Sequence, residues 1–501
     1  MAQEITVGID LGTTHSLVSY VDPDTKELKS VSPDRLATYP STVQFLRNGT
    51  NPCVSFGDQT FSGFALCPKR LIGQKFNGAN NYDIKTYGSP ICGVKENDDA
   101  EIIPGYYIRS QDRSVSATQV SAMILKHMKE DAEKQLGRTV SNVVITIPVM
   151  FSWSQRIETE RAAELAGFNS VELQLEPVMA AYEYCTVNNL NDCTLLTYDF
   201  GGGTFDICVV EYKNGVFSVL DCDGNSHLGG EDITMAICKE LESRITEVLH
   251  HDLYKDKSER AINTIRLRIR QFAEEKKVKI GNNINSVIKV NTVDFCEDWN
   301  DVFDFSININ RVQDIVTRTI DMTKNMMRTC PQIQKILVIG GSGDFCLVRN
   351  RLQDLFGDLV AYDISPLRCV SNGAARYGYR RDTVKVSGGM LFTRSILPKG
   401  IGILNSRSTP EYIAVKTDTL PKDVSRQIVL AKDDDSIRTY LVEETENGFD
   451  VIKKLVISLG KTYPKGSQFS FRLIIGKDLL IYYKVLDMNN RVLLPLTMVR
   501  I

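Results

Sequence analysis

The chain has 501 residues, too many for one compact core, so two or more domains are expected. It carries 59 Lys and Arg against 62 Asp and Glu, a net charge of −3, which excludes a general attraction to nucleic acid or to an anionic membrane surface. No apolar run approaches the ~20 residues a membrane-spanning helix needs. The 12 cysteines are scattered, with no Cys-x-x-Cys pair, and Cys193, Cys208 and Cys238 sit inside apolar runs. Buried free thiols fit this pattern better than a disulfide framework or a zinc site. Met1-Ala2-Gln3-Glu4 leads straight into a strand, with neither a basic nor an apolar signal region, so a cytoplasmic location is expected.

In chain order, Val7-Gly8-Ile9-Asp10-Leu11-Gly12-Thr13-Thr14 is a β-prone run ending in Asp and entering a turn of Gly and Thr. Thr118 to Leu136 reads as a helix, with Val120, Ile124, Met128 and Leu136 at helical spacing and Gly137 to close it. Asn142 to Val149 reads as a buried strand, and Gln155 to Ala166 as a helix closed by Gly167. Leu195-Leu196-Thr197-Tyr198-Asp199-Phe200-Gly201-Gly202-Gly203-Thr204-Phe205-Asp206 repeats the first pattern. Charged residues dominate Glu259 to Lys279, consistent with a long solvated helix, and Lys335 to Ile339 is a strand running into Gly340-Gly341-Ser342-Gly343. This alternation marks an α/β region up to residue 382.

Past residue 396 short strands follow one another: Tyr412 to Lys416, Arg426 to Ala431, Arg438 to Glu443, Gln468 to Ile475, Leu479 to Leu486 and Arg491 to Val499. Asn447-Gly448 is a hairpin-type turn, and an all-β sandwich is expected. The join, Asp382 to Ser395, contains Gly388-Gly389 and reads as a linker.

Gly and Thr in a tight turn expose successive backbone amides that cradle phosphate oxygens. Asp10, Asp199 and Asp206 beside such turns suit Mg²⁺ or an attacking water, and Thr13 and Thr204 can bond a γ-phosphate. The alternative is two ordinary hairpins; their repetition favours the phosphate reading. The third cluster, Gly340 to Gly343, suits close approach to an adenosine or a plain strand-to-helix turn equally. Neither a Walker A motif nor a dinucleotide fingerprint occurs.

Val7 to Ser16 and Thr194 to Val210 resemble the two phosphate segments of the seventy-kilodalton heat-shock (Hsp70) chaperones, members of the actin-like ATPase superfamily. Further resemblance lies in Lys69-Arg70-Leu71-Ile72-Gly73, in Val144 to Arg156 and in Glu176-Pro177. His227-Leu228-Gly229-Gly230-Glu231-Asp232 and Ile339-Gly340-Gly341-Ser342 match the family's segments. Leu397-Pro398, Gly402-Ile403 and Asp418-Thr419-Leu420-Pro421 echo its peptide-binding β-domain.

The resemblance implies a two-lobed, ribonuclease-H-like α/β ATPase domain (1–382), a linker (383–395) and a small all-β sandwich (396–501) without the family's helical lid. It implies that Asp10, Asp199 and Asp206 surround Mg²⁺ largely through water, that Lys69 meets the γ-phosphate and attacking water, and that Glu176 places that water. Gly12, Thr13, Thr14, His15, Gly201, Gly202, Gly203 and Thr204 would hold the phosphates of ATP or ADP. Gly230, Glu274, Lys277, Gly340, Gly341 and Ser342 would border the adenosine. Pro148 and Arg156 match the family's relay between nucleotide and β-domain, though Pro148 serves equally as a strand terminator. Ile401, Ile403, Ile428, Ala431 and Ile437 fall where the family lines its peptide groove, and are equally good sandwich-core residues.

Four departures from the family stand out. Asp344 replaces the Arg that stacks on adenine, leaving Phe345 as the nearest ring, and Gly281 replaces a small hydroxyl residue. The acidic, Leu-rich linker is replaced by Met390-Leu391-Phe392-Thr393-Arg394-Ser395. Trp153 and Glu172 replace an Asp and an Arg on the surface that receives J-domain partners. Fourth, the residues after the β-sandwich are expected to include neither the family's helical lid nor its acidic tail.

The reading is thus a slow, Mg²⁺-dependent ATPase and chaperone binding unfolded or extended polypeptide. A nucleotide exchange factor is a further partner, and a J-domain partner is specialised or absent. The alternative is a nucleotide-binding regulatory partner of a full-length chaperone. A sugar or metabolite kinase would need an acceptor-binding insertion in place of the C-terminal sandwich.

Overall fold

The computed structural model describes residues 5–31, 38–54, 63–76, 90–96, 102–387, 392–394 and 397–499, apart from positions 226, 284–285, 308, 398, 405–407, 416–417, 419, 446–447 and 477–479. Two open sheets share one plan. In the first, the order is Ser170–Leu175, Val140–Ile147, Ile5–Asp10, His15–Val21 and Leu28–Ser30. The first three strands are parallel, and Ile5–Asp10 with His15–Val21 forms a hairpin. In the second, the order is Val360–Ala361, Lys335–Ile339, Cys193–Phe200, Phe205–Lys213, Val216–Asn225 and Phe392–Arg394. Again parallel strands flank one side of a hairpin. Each hairpin's first strand is central in its sheet, which is why both are buried along nearly their whole length.

Eight α-helices lie among the described residues: α1 (Ala117–Leu136), α2 (Trp153–Leu165), α3 (Glu176–Val187), α4 (Gly230–Leu249), α5 (Glu259–Asn282), α6 (Ile309–Thr329), α7 (Cys346–Phe356) and α8 (Cys369–Ser387). Ser116 caps α1 in a reciprocal box with Gln119, and Gly137 closes it in the left-handed region. Helix α2 starts at Trp153 rather than Gln155, because Ser152 forms the same box with Gln155. Helix α5 is not solvated all round: it buries Ile265, Ile269, Arg270 and Ala273.

Helix α3 carries the chain from the first sheet to the second, and α8 packs on α3 and across Ile5–Asp10 and His15–Val21. Gly373 makes that crossing possible, since a Cβ there would lie 1.9 Å from the Met179 carbonyl oxygen. Helix α8 runs on to Ser387, into the expected linker, and Phe392–Arg394 adds a parallel strand beside Val216–Asn225. Gly388-Gly389, Met390-Leu391 and Ser395 lie outside the described residues.

The C-terminal part is two antiparallel four-stranded sheets. One orders Pro410–Ala414, Ile401–Leu404, Asp434–Thr445 and Gly448–Tyr463; the other orders Lys422–Val429, Gln468–Ile475, Ile481–Asp487 and Val492–Met498. Leu441, Ile457, Phe469, Phe471, Leu473 and Ile481 fill the space between. Two strands were not expected from sequence, Ile401–Leu404 and Gly448–Tyr463. In the second, the register slips where Leu441 faces Lys453 but Val442 faces Val451, so the Lys453-Lys454 doublet breaks the alternation of a strand. Asn447 at the hairpin tip lies outside the described residues.

Candidate active site

The first turn follows directly from Asp10 and returns at His15. Ser41 fixes it, its amide donating to the Thr14 carbonyl at 2.8 Å and its hydroxyl to the Gly12 carbonyl at 2.7 Å. The second turn closes through the Gly201 amide and the Thr204 carbonyl at 3.1 Å. Amides of Gly230 and Glu231, at the start of α4, donate to the Gly201 and Gly202 carbonyls at 2.9 and 2.7 Å. Arg70 reaches across to the Gly203 carbonyl at 3.1 Å. The two turns abut: a Cβ on Gly203 would lie 2.5 Å from Thr13 Oγ1, and one on Gly202 would lie 2.3 Å from Thr14 Oγ1. Only glycine lets the two backbones approach this closely.

Carboxylates crowd the same place. Asp199 and Asp206 are direct cross-strand partners, which puts both side chains on one face. Glu176 begins α3 and receives Lys69 Nζ at 2.7 Å, with both side chains buried. Lys69 also lies over the Phe151 ring at 5.6 Å. Burial and the Glu176 charge push Asp10 up to about 7, against the pull of Lys69. Burial and Glu176 likewise push Asp206 up to about 7, and Asp199 rises well above its usual value through burial, Glu176, Asp206 and Asp10. Burial by itself would lower Lys69, but Glu176, Asp10 and Asp199 outweigh it and hold its ammonium above the ordinary value. Four carboxylates around one ammonium leave an excess of buried negative charge, the environment a cation would relieve.

A cavity of about 430 Å³ opens between the sheets. Asp10, Gly12, Thr13, Thr14, His15, Lys69, Glu176, Asp199, Gly201, Gly202 and Thr204 line it, as do Glu274, Lys277, Gly340, Gly341 and Ser342. Gly203, Gly230 and Asp206 support these residues without lining the cavity. Thr14 Oγ1 is buried with no hydrogen-bond partner among the described residues. Two amide-bearing turns, an ammonium and an orphaned hydroxyl fit a polyphosphate. The buried carboxylates of Asp10, Asp199 and Asp206 are oxygen donors of the kind a hard cation such as Mg²⁺ takes.

The Hsp70 protein family matches residues 6–449 of this chain. The chain belongs to the Hsp70 family. It is 30% identical over 387 residues to the heat shock protein hsp-6 of Caenorhabditis elegans, a match covering 74% of this chain and 56% of that relative. The chain thus spans just over half the length of the curated relative it matches. No helix among the described residues is long and apolar enough to cross a membrane.

Within this Hsp70 frame, the far end of the cavity is a closed polar knot. Lys277 Nζ donates to Glu274 Oε1 and Oε2 at 2.7 and 2.8 Å, and Thr234 donates to Glu274 at 2.6 Å. Burial would raise Glu274, but Lys277 and Arg270 outweigh it and hold the carboxyl down to about 2. Ser342 Oγ donates to the Gly201 carbonyl at 3.0 Å, tying the third glycine cluster to the second turn. Phe345 wedges against Gly281, where a Cβ would lie 3.0 Å from the ring, and Asp344 lines the cavity.

Pro148 ends its strand, and the loop after it links the carboxylates to the β-domain. The Met150 amide bonds Asp206, while the Val149 and Phe151 carbonyls accept from Arg156 at 2.7 and 3.1 Å. Burial lowers the Arg156 guanidinium to about 10, with Glu443 opposing. Trp153 was expected on an exposed partner surface. Instead it is 2% exposed beneath the β-domain, and its amide donates to Glu443 Oε1 at 3.1 Å. Glu172, expected to reverse the charge on the J-domain surface, is paired with Arg381 and accepts from Tyr377 at 2.7 Å.

The five expected groove residues do not form one surface. Ile401, Ile403 and Ile437 are buried, Ile428 is half-buried on the other sheet, and Ala431 is exposed beyond the strand end. Ile401 faces Trp153, Arg156 and Glu443 across the domain junction.

Ser41, Arg70 and Glu443 were not singled out from sequence. Arg70 could have been, as the immediate neighbour of Lys69. Ser41 and Glu443 reach their places only through tertiary contacts.

Proposed function

We propose that this chain hydrolyses ATP to ADP and phosphate with Mg²⁺, and that it binds unfolded or extended polypeptide through its β-domain as an Hsp70-type chaperone. The observation that carries the reading is the buried Lys69–Glu176 pair set in one cavity with Asp10, Asp199 and the unpartnered Thr14 hydroxyl. Amides of the two turns bind and orient the phosphates. Water attacks the γ-phosphorus in line while the bond to the β–γ bridging oxygen breaks; ADP leaves with that electron pair and the water's proton passes to a phosphate oxygen. The Lys69 ammonium offsets the charge growing on the γ-oxygens, and Glu176 holds that ammonium and orients the water. Bound Mg²⁺ would neutralise the phosphate oxygens, held through its waters by Asp10, Asp199 and Asp206. Positioning and charge compensation suffice for phosphoryl transfer, so no strong base is needed.

Phosphate release from wild type and from Lys69→Ala, with nucleotide binding measured in parallel, tests this. Equal rates sink the catalytic assignment. A rate that rises with extended peptide supports coupling to the β-domain.

The regulatory reading draws on one feature, the carboxylate of Asp344 in the cavity wall. Tight nucleotide binding with no hydrolysis would select it. An exchange factor and a specialised J-domain protein are the partners we propose. The paired Glu172 and covered Trp153 argue against a J-domain partner of the family's ordinary charge pattern.

A further inference from the structure

Cys185 and Cys193 are in direct sulfur–sulfur contact, their Sγ atoms 3.4 Å apart. Cys185 is in the last turns of α3 and Cys193 opens the strand Cys193–Phe200. The chain folds back between them: the Leu190 amide donates to the Cys185 carbonyl at 2.9 Å and the Asn188 amide to the Tyr184 carbonyl at 3.0 Å. Asn189 and Asp192 take positive φ values of 51 and 55 to complete the reversal. This brings two thiols eight positions apart to within a small side-chain rotation of bonding distance.

The pair lies just under the surface. Both thiols are buried, but Thr186, Val187, Asn189, Asn191 and Asp192 around them are exposed. Cys208 and Cys222 face each other across the same sheet, yet they are sealed in its centre at 0% and 1% exposure. With Cys185 as donor, the hydrogen bond to Cys193 holds the latter below its ordinary value, against burial and the charge of Asp192.

We propose that Cys185 and Cys193 form a reversible disulfide site, oxidised by hydroperoxides, at the corner where α3 enters the second sheet. The Cys193 thiolate attacks a peroxide oxygen. The O–O bond breaks, leaving a sulfenic acid, and the departing hydroxide takes up a proton. The Cys185 thiol gives up its proton and attacks the Cys193 sulfur. The S–O bond breaks and a second hydroxide is protonated to water. Two thiols and one hydrogen peroxide thus give one disulfide and two waters, and a dithiol restores the pair. Because α3 is the connection from the first sheet to the second, the bond would pin one end of that connection. The inference stands apart from the nucleotide reading.

The test treats the whole chain with hydrogen peroxide, alkylates the remaining thiols under denaturing conditions and maps the peptides by mass spectrometry. A protease cutting before Asp192 separates the two cysteines, so a disulfide appears as a linked peptide pair. The expected result is a Cys185–Cys193 link reversed by dithiothreitol, with Cys208 and Cys222 still alkylated. In Cys185→Ser the reaction should stop at a sulfenic acid on Cys193, trapped by dimedone. In Cys193→Ser no link should form. Full alkylation of Cys185 and Cys193 while Cys53, Cys92 or Cys346 oxidise would overturn the proposal. So would conversion of Cys193 to sulfinic acid without a linked peptide.

Discussion

The phosphate end of the cavity and the junction with the β-domain are both buried and both charged, yet they are balanced in opposite ways. At the phosphate end, Asp10, Glu176, Asp199 and Asp206 face one ammonium, and the carboxyls of Asp10, Asp199 and Asp206 rise toward neutrality. At the junction, Glu443 meets one backbone amide and two nearby cations, Lys399 and Arg156, so its single carboxylate is matched. Arg156 Nη1 and Trp153 Nε1 there have no hydrogen-bond partner among the described residues. Excess charge marks a place that a ligand completes. A few polar links within a largely apolar contact mark a place where orientation, rather than ligand binding, is set.

The sharpest break in that contrast is Lys69→Ala, which removes the ammonium bonded to Glu176 at the phosphate end. Phosphate release should fall by about 10²- to 10³-fold, the usual cost of deleting one preorganised charge-stabilising group. Nucleotide binding measured by calorimetry should persist.

The junction is tested by Trp153→Ala. Emptying that buried site should cost about 3–5 kcal/mol and lower the thermal midpoint of unfolding. An unchanged midpoint would show that the β-domain does not cover Trp153 in solution.

Relief of charge at the phosphate end should work in the other direction. In the folded chain Asp10 and Asp206 titrate near 7, against 3.8 when unfolded. Between those values the folded state holds protons that the unfolded chain has released. Stability of the cation-free protein therefore falls as pH rises from about 4 to 7. Asp10→Asn should raise cation-free stability at pH 8, by on the order of 2–4 kcal/mol, and flatten that slope. Denaturant unfolding at several pH values measures both.

The smallest effect belongs to Ala431→Ser. The residue is exposed beyond its strand, so unfolding should shift by less than about 0.5 kcal/mol. Weakened peptide binding by this variant, followed by fluorescence anisotropy, would restore Ala431 to a groove.

Local chemistry made much of the architecture legible. The two Asp-Gly-Thr turns, the Lys335–Ile339 strand, the capped helix α1 and the alternating strand Gln468–Ile475 all follow from neighbours within a few positions. The strand Gly448–Tyr463 escaped because a bulge disrupts its period. The groove assignment rested on the family resemblance, and the apolar character of those residues cannot distinguish a lining residue from a core residue. Ile401 and Ile437 proved to be buried.

By itself the sequence determined that two Gly-Thr turns exist, which carboxylates stand beside them and that an all-β part follows. Those features depend on short-range backbone preference and on the period of apolar residues. Only the tertiary structure decided that Gly202 and Gly203 meet Thr14 and Thr13, that Lys69 meets Glu176 107 positions away, and that Trp153 lies under Glu443. Charge excess, burial and contact between distant residues arise from how sheets and helices pack, and no local stretch of chain encodes them.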